Sequence, residues 1–282
     1  MKRLFTFFAL AFAWSWTGLL LANGLKTNLP LVAIGLTILA GFGPSLAAVA
    51  VVAHTSGIAG LSIWLKRSMQ WRIGWCWGAL ALTLPAAIMG LAAGIHFMLG
   101  GSLPESPAAG HIRLTAANFV LIFFLGGPLG EEFGWRGYAL PILQERWGWR
   151  WSSVLLGIIW FVWHVPLFYT QGTVQSHLPM GLYALSVIAS SVLFAWVFNR
   201  SKNSIVPVLV LHTAVNGWAM IIPVMLQPDG NNWRTFQVVV AIEVLLALWL
   251  LMRYPGASNR LAISLDDPRH VGKRTDGRRG LH

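Results

Sequence analysis

The sequence predicts an all-α fold, a polytopic membrane helical bundle of about eight transmembrane helices with both termini cytoplasmic. Three observations predict it. Of the 282 residues, 56% are hydrophobic and only 10% charged, whereas a water-soluble domain needs roughly a quarter of its residues charged to cover its surface. The apolar residues gather into eight runs near the ~20 residues that cross a hydrocarbon core of about 30 Å. The lysines and arginines fall mostly between alternate runs, and such a bias orients a chain in a bilayer.

The runs cover residues 4–22, 29–53, 75–98, 114–140, 151–168, 180–198, 204–225 and 235–252. The first follows Met1-Lys2-Arg3 and has no clean small-residue cleavage site, so it reads as a retained helix. The fourth is interrupted by Gly126-Gly127-Pro128, a helix-breaking triplet. With eight crossings and both termini inside, the cytoplasmic side holds Lys2, Arg3, Lys66, Arg67, Arg72, Arg136, Arg146, Arg150, Arg200, Lys202 and seven tail residues from Arg253 to Arg279. The outer side keeps Lys26, Arg113 and Arg234. Seven or nine crossings spoil this asymmetry.

Residues 1–254 read as one transmembrane domain, and 255–282 as a polar, basic cytoplasmic tail. Gly60 to Arg72 mixes Leu61, Ile63 and Leu65 with Lys66 and Arg67, the pattern of an amphipathic stretch on the cytoplasmic interface. Pro85, Pro166 and Pro207 are expected to kink helices or open cavity walls. One cysteine, Cys76, excludes a disulfide framework and a four-cysteine zinc site. The net charge of +11 points to bilayer orientation and away from a nucleic-acid partner, because the cations border apolar runs. The chain is thus placed in a cell membrane as a multi-pass protein, with the lipid bilayer as its first partner.

Ionisable groups inside a bilayer cost several kcal/mol, so each one that persists is a candidate for function. Glu131, Glu132 and Arg136 lie in the fourth run, Trp160 and His164 in the fifth, His212 and Asn216 in the seventh. Glu132 and Arg136, four apart, pair on one helix face, while Glu131 points about 100° away. Measured along helices from Arg146, Arg150 and Lys202 at about 1.5 Å per residue, Glu131, His164, His212 and Asn216 sit roughly 15 to 22 Å deep. His54 and His96, near run ends, read as packing or capping residues. Glu243 has no partner in its own run and is expected either to bond across the bundle or to be protonated.

A carboxylate, two imidazoles and a carboxamide in one layer are the parts for hydrolysing a peptide bond. In one scheme Glu131 is the base toward a water that His164 helps position, and His212 with Asn216 donates to the oxyanion. In a second, Glu131, His164 and His212 hold a catalytic zinc; no His-Glu-x-x-His helix is present. A third use of the same layer is an ion or proton relay in a transporter or channel, which would also draw on Glu243.

At these residues the sequence resembles the CPBP family of intramembrane endopeptidases, also called the Abi or type II CAAX prenyl endopeptidase family. The resemblance rests on three motifs in order: Glu131-Glu132-Phe133-Gly134-Trp135-Arg136 for Glu-Glu-x-x-x-Arg, Trp160 to His164 for aromatic-x-x-x-His, and His212 to Asn216 for His-x-x-x-Asn. They fall within a core of about residues 114–218, and the style is that of bacterial members, which implies the inner membrane. Trp160 stands where many members carry phenylalanine.

The resemblance implies an intramembrane endopeptidase with catalytic Glu131, His164, His212 and Asn216, supported by Glu132, Arg136 and Trp160. It implies a membrane-anchored protein or peptide as substrate. A glutamic mechanism without a metal is favoured over zinc bound by Glu131, His164 and His212. The depth argument suggests a cavity opening to the cytoplasm.

Overall fold

The computed structural model describes residues 1–106, 108–225 and 233–255, and among them it is all-helical. Ten α-helices follow one another: α1 Lys2–Leu25, α2 Pro30–Ala40, α3 Gly43–Ser68, α4 Trp75–Met98, α5 Ile112–Leu125, α6 Pro128–Gly134, α7 Leu140–His164, α8 Met180–Arg200, α9 Val206–Ala219 and α10 Arg234–Arg253. Apart from residue 255, the polar tail expected over 255–282 lies outside the described residues.

By length and composition, six stretches qualify as membrane spans, one of them a composite over Arg113–Tyr169, and α2 and α9 are shorter apolar helices. The protein is a multi-pass membrane bundle. Large apolar side chains such as Phe5, Leu31, Leu121 and Trp249 face outward, as expected where the surrounding solvent is lipid.

Runs one, three, six and eight appear almost as expected, because none is cut by adjacent glycine and proline. Others are remodelled by glycine and proline. The second run is two helices, α2 and α3, separated at Gly41 and Phe42. Gly18 approaches Ala40, and Ser15 Oγ donates 2.7 Å to the Ala40 carbonyl, so α2 and α3 together run back along α1. Helix α3 bends at Gly57, where φ is +66°. The amphipathic stretch expected from Gly60 begins beyond that bend, and its Trp64 indole donates 3.0 Å to the Gly137 carbonyl.

The fourth run breaks where expected, between Leu125 and Pro128, then continues through a widened π turn, Trp135–Ala139, into α7. Residues 141–150, which separate two runs in the sequence reading, are helical and bend at Gly148, with φ +67° and ψ 169°. A side chain rarely tolerates this conformation. The chain folds back there: the Trp160 indole reaches Glu131, 29 residues earlier, whereas an unbroken helix would hold them about 43 Å apart.

Proline serves helix starts more often than kinks. Pro207 lies in the first turn of α9 and Pro166 opens a 3-10 turn after α7, so neither fills the kinking role, one of the two expected; Pro85 alone of the three is inside a helix. At a first turn the missing N–H has no intrahelical acceptor to lose.

Two ends of the bundle are chemically distinct. At one, Arg150 donates to the carbonyls of Leu251 and Tyr254, Arg200 lies over the Tyr254 ring, and Lys202 reaches the Arg72 carbonyl. Ser204 and Ile205 bond back to Gln70 and Ser68 at this same end. At the other, Lys26 donates to the Gln171 carbonyl and Arg234 to that of Leu99. Of the described cations expected to be cytoplasmic, Arg72, Arg150, Arg200 and Lys202 sit at the first end, whereas Arg136, expected there too, is fully buried beside Glu132.

Candidate active site

The site is assembled where α6 presses on the α2–α3 junction. A Cβ at Gly130 would lie 2.5 Å from the Gly41 carbonyl oxygen, and one at Gly134 would lie 2.4 Å from that of Pro44. Two glycines four residues apart give α6 a bare face, so backbone meets backbone, as at other small-residue contacts in membranes. Glu131 and Glu132 then enter the interior, 4% and 0% exposed.

The adjacent carboxylates have separate partners. Glu132 accepts two hydrogen bonds from Nη1 of Arg136, at 3.0 and 3.1 Å, and a third at 2.7 Å from Nδ1 of His212. The Arg136 guanidinium is itself fully buried, 4.2 Å from the Trp160 ring centroid and 4.7 Å from that of Phe194. Aromatic faces thus replace part of its lost hydration. The ion pair expected between Glu132 and Arg136 is present, and the sequence reading missed its third member, His212.

Glu131 is held by indoles. Its Oε2 accepts from Trp160 Nε1 at 2.5 Å and from Trp135 Nε1 at 3.3 Å. Its Oε1 points to the gap beside Gly127, where a Cβ would fall 2.6 Å from Oε1 and 3.5 Å from Nε2 of His212. Gly127 has φ +111°, a conformation that disfavours side chains. One backbone position is therefore kept bare in front of a carboxylate oxygen and an imidazole nitrogen.

His164, 7% exposed, closes α7. Its Nδ1 lies 2.7 Å from the Trp160 carbonyl oxygen. A carbonyl only accepts, so Nδ1 carries the proton and Nε2 keeps its lone pair. On His212, Nδ1 likewise donates to Glu132, and Nε2 becomes a donor only when the ring holds both protons. Asn216 Nδ2 donates 3.0 Å to the Gly126 carbonyl, which ties α9 to the break before α6. The Trp160 ring packs edge-on to both imidazoles, with centroids 5.7 Å from His164 and 5.5 Å from His212.

Glu131, His164, His212 and Asn216 all line one cavity of about 620 Å³. The single layer expected from their depths thus corresponds to one wall system in space. Among the described residues, no three His, Cys, Asp or Glu side chains are grouped so as to hold a metal ion.

The direction of the cavity differs from expectation. It runs from Glu131 and His212 past Leu167 to Val174, Gln175 and Met225, in the connections that follow α7 and α9. That is the end where Lys26 meets Gln171, opposite the cation-rich end expected to be cytoplasmic. Counting residues from the last cation measures depth but carries no information about which side the walls part on.

Glu243 bonds across the bundle, one of the two outcomes expected: Ser186 Oγ donates to its Oε2 at 2.5 Å, and Ser190 also bonds it. His96 is buried with a ring nitrogen 3.2 Å from the Ser102 carbonyl oxygen, a packing role, and His54 lies in a groove with Lys2 and Arg3.

Residues 113–218 match the type II CAAX prenyl endopeptidase Rce1-like family. A 143-residue stretch is 30% identical to CAAX prenyl protease 2 of Methanococcus maripaludis, covering 48% of this chain and 52% of that protein. The chain thus spans about half the length of the curated relative it matches, and the stretch similar to the Rce1-like family, residues 113–218, contains the layer just described.

Proposed function

We propose that the chain is an intramembrane endopeptidase that hydrolyses a peptide bond of a membrane-associated protein or peptide. The observation that carries this reading is the gap beside Gly127, faced by Glu131 Oε1 and His212 Nε2 and continuous with the cavity lined by His164 and Asn216. The Rce1-like match over the same helices supports it.

In this scheme Glu131 Oε1 accepts a proton from a water while His164 Nε2 orients it by accepting its second hydrogen bond. The two indoles on Oε2 fix the carboxylate and leave Oε1 as the basic atom. The water oxygen attacks the scissile carbonyl carbon, and the developing oxyanion takes hydrogen bonds from His212 Nε2–H and from the second N–H of Asn216. The Glu132 carboxylate on Nδ1 steadies the doubly protonated His212 that this step needs, while Arg136 balances the charge of Glu132. Glu131 then returns its proton to the leaving amine. The scheme is glutamic and routes no step through a metal.

The test uses membranes containing the full chain, incubated in oxygen-18 water. Newly formed carboxyl termini should carry the heavy oxygen with the wild type and be missing with Glu131→Gln. New termini that form equally in both would refute the assignment.

A further inference from the structure

The side from which a substrate reaches this cavity follows from two independent features, the distribution of cations and the course of the cavity. Resting on the endopeptidase reading, we propose that the site takes an uncharged, apolar peptide segment presented from the non-cytoplasmic face, such as an exported peptide or the external stretch of a membrane protein.

The first feature is electrostatic. Lys66, Arg72, Arg150, Arg200, Lys202 and Arg253 gather at one end, several bonded to one another's backbone neighbourhood. Short cation-rich connections stay in the cytoplasm, so this end is cytoplasmic. The second feature is steric. At that end the bundle is closed by bonds between connections, Ser204 to Gln70 and Ile205 to Ser68, with Ser201, Ser204 and Ile205 all fully buried. The cavity leaves the Glu131 layer in the other direction and ends at Val174, Gln175 and Met225, with Val174 53% exposed.

The walls of that route define the class of segment. They present Leu19, Ile38, Leu167, Leu178 and Met220 together with the uncharged polar Thr37, Asn118, Gln175, Tyr183, Ser186 and Ser190, and Glu131 is the one carboxylate on the whole lining among the described residues. Among the described residues no lysine or arginine lines it. A charged side chain would be desolvated there without a counter-ion, at a cost of several kcal/mol, while an apolar one exchanges lipid or water for protein contact. A volume of about 620 Å³ suits a short extended segment and falls within the range of small-ligand sites.

Cys76 is the one cysteine of the chain and is exposed, so the full chain carrying Cys76→Ala accepts single reporters. Val174→Cys marks the mouth, and Gln70→Cys marks the cation-rich end. Intact cells expressing each variant are treated with a membrane-impermeant maleimide, before and after permeabilisation. Val174→Cys should label at least about tenfold more than Gln70→Cys in intact cells, and both should label after permeabilisation, if cation bias sets the orientation. Labelling of Gln70→Cys in intact cells, alone or together with Val174→Cys, overturns the proposal. The readout needs no catalysis, so it separates a wrong side from a wrong activity. A survey of new chain termini in the same cells then places the cut sites. Cuts in external or exported segments agree with the proposal, and cuts confined to cytoplasmic chain ends contradict it.

Discussion

Glu131 and Glu243 are both buried carboxylates in apolar helices, 4% and 6% exposed, yet their surroundings differ in kind. Glu131 has one oxygen fixed by two indole N–H groups and the other facing a gap that an imidazole shares. Glu243 is bonded by hydroxyls of Ser186 and Ser190 on α8, and among the described residues no imidazole shares its bonds. A hydroxyl can rotate to suit its neighbour, while an indole N–H is fixed by its ring. The first arrangement preorganises an atom for chemistry; the second ties α10 to α8. Polarity inside a membrane marks candidates, and the direction in which the lone pairs are left open sorts them.

Substitutions sharpen this contrast, and the largest effect is expected at Glu131. Glu131→Gln keeps the shape and removes the base, and cleavage should fall by about a thousandfold or more, judged by the rate of new terminus formation at matched protein levels. Glu132→Ala leaves Arg136 buried without its carboxylate. Breaking such a pair costs about 3–5 kcal/mol, so thermal unfolding in detergent should shift down sharply and activity should fall with it.

A smaller effect is expected at the indole. Trp160→Phe keeps an aromatic ring for Arg136 and the imidazoles but deletes the N–H on Glu131 Oε2. A hydrogen bond to a charged group contributes roughly 1.5–3 kcal/mol, so turnover should drop about ten- to a hundredfold while the melting temperature moves little. An unchanged rate would show that Trp135 alone positions the carboxylate. Glu243→Gln closes the series, with cleavage expected within about threefold of wild type because the amide still bonds Ser186 and Ser190. A large loss there would favour the ion or proton relay, in which both carboxylates serve.

Much of the fold is legible in the residues, for identifiable reasons. Runs without glycine–proline breaks, such as 75–98 and 180–198, carry their own boundaries, and α4 and α8 coincide with them within two residues. The break before α6 is readable as well, since Gly126-Gly127-Pro128 allows no helix through it. Harder to read are interruptions that need a neighbour. The separation at Gly41 and Phe42 exists because α6 packs its glycine face there, and the bend at Gly148 is a conformation of one residue among 29 glycines.

The site shows the same division. Glu131, His164, His212 and Asn216 stand out as costly polar groups, and their common depth follows from helix rise. The bond between His212 and Glu132 joins residues 80 positions apart, and no spacing rule reaches that far. Trp135 was visible only as an aromatic inside a motif. Its i, i+4 spacing from Glu131 was the available signal, since that spacing also places Arg136 on Glu132. Trp160 in place of phenylalanine reads as a mild departure in sequence and in space is the nearest donor to Glu131. The direction of the cavity left no trace in the sequence.

The most direct test is a survey of new chain termini in cells lacking the protein, complemented at equal membrane levels by wild type, Glu131→Gln or Glu243→Gln. The account predicts one set of termini that appears with wild type and with Glu243→Gln and is absent with Glu131→Gln. Termini that persist with Glu131→Gln, or that vanish equally with both variants, would contradict it.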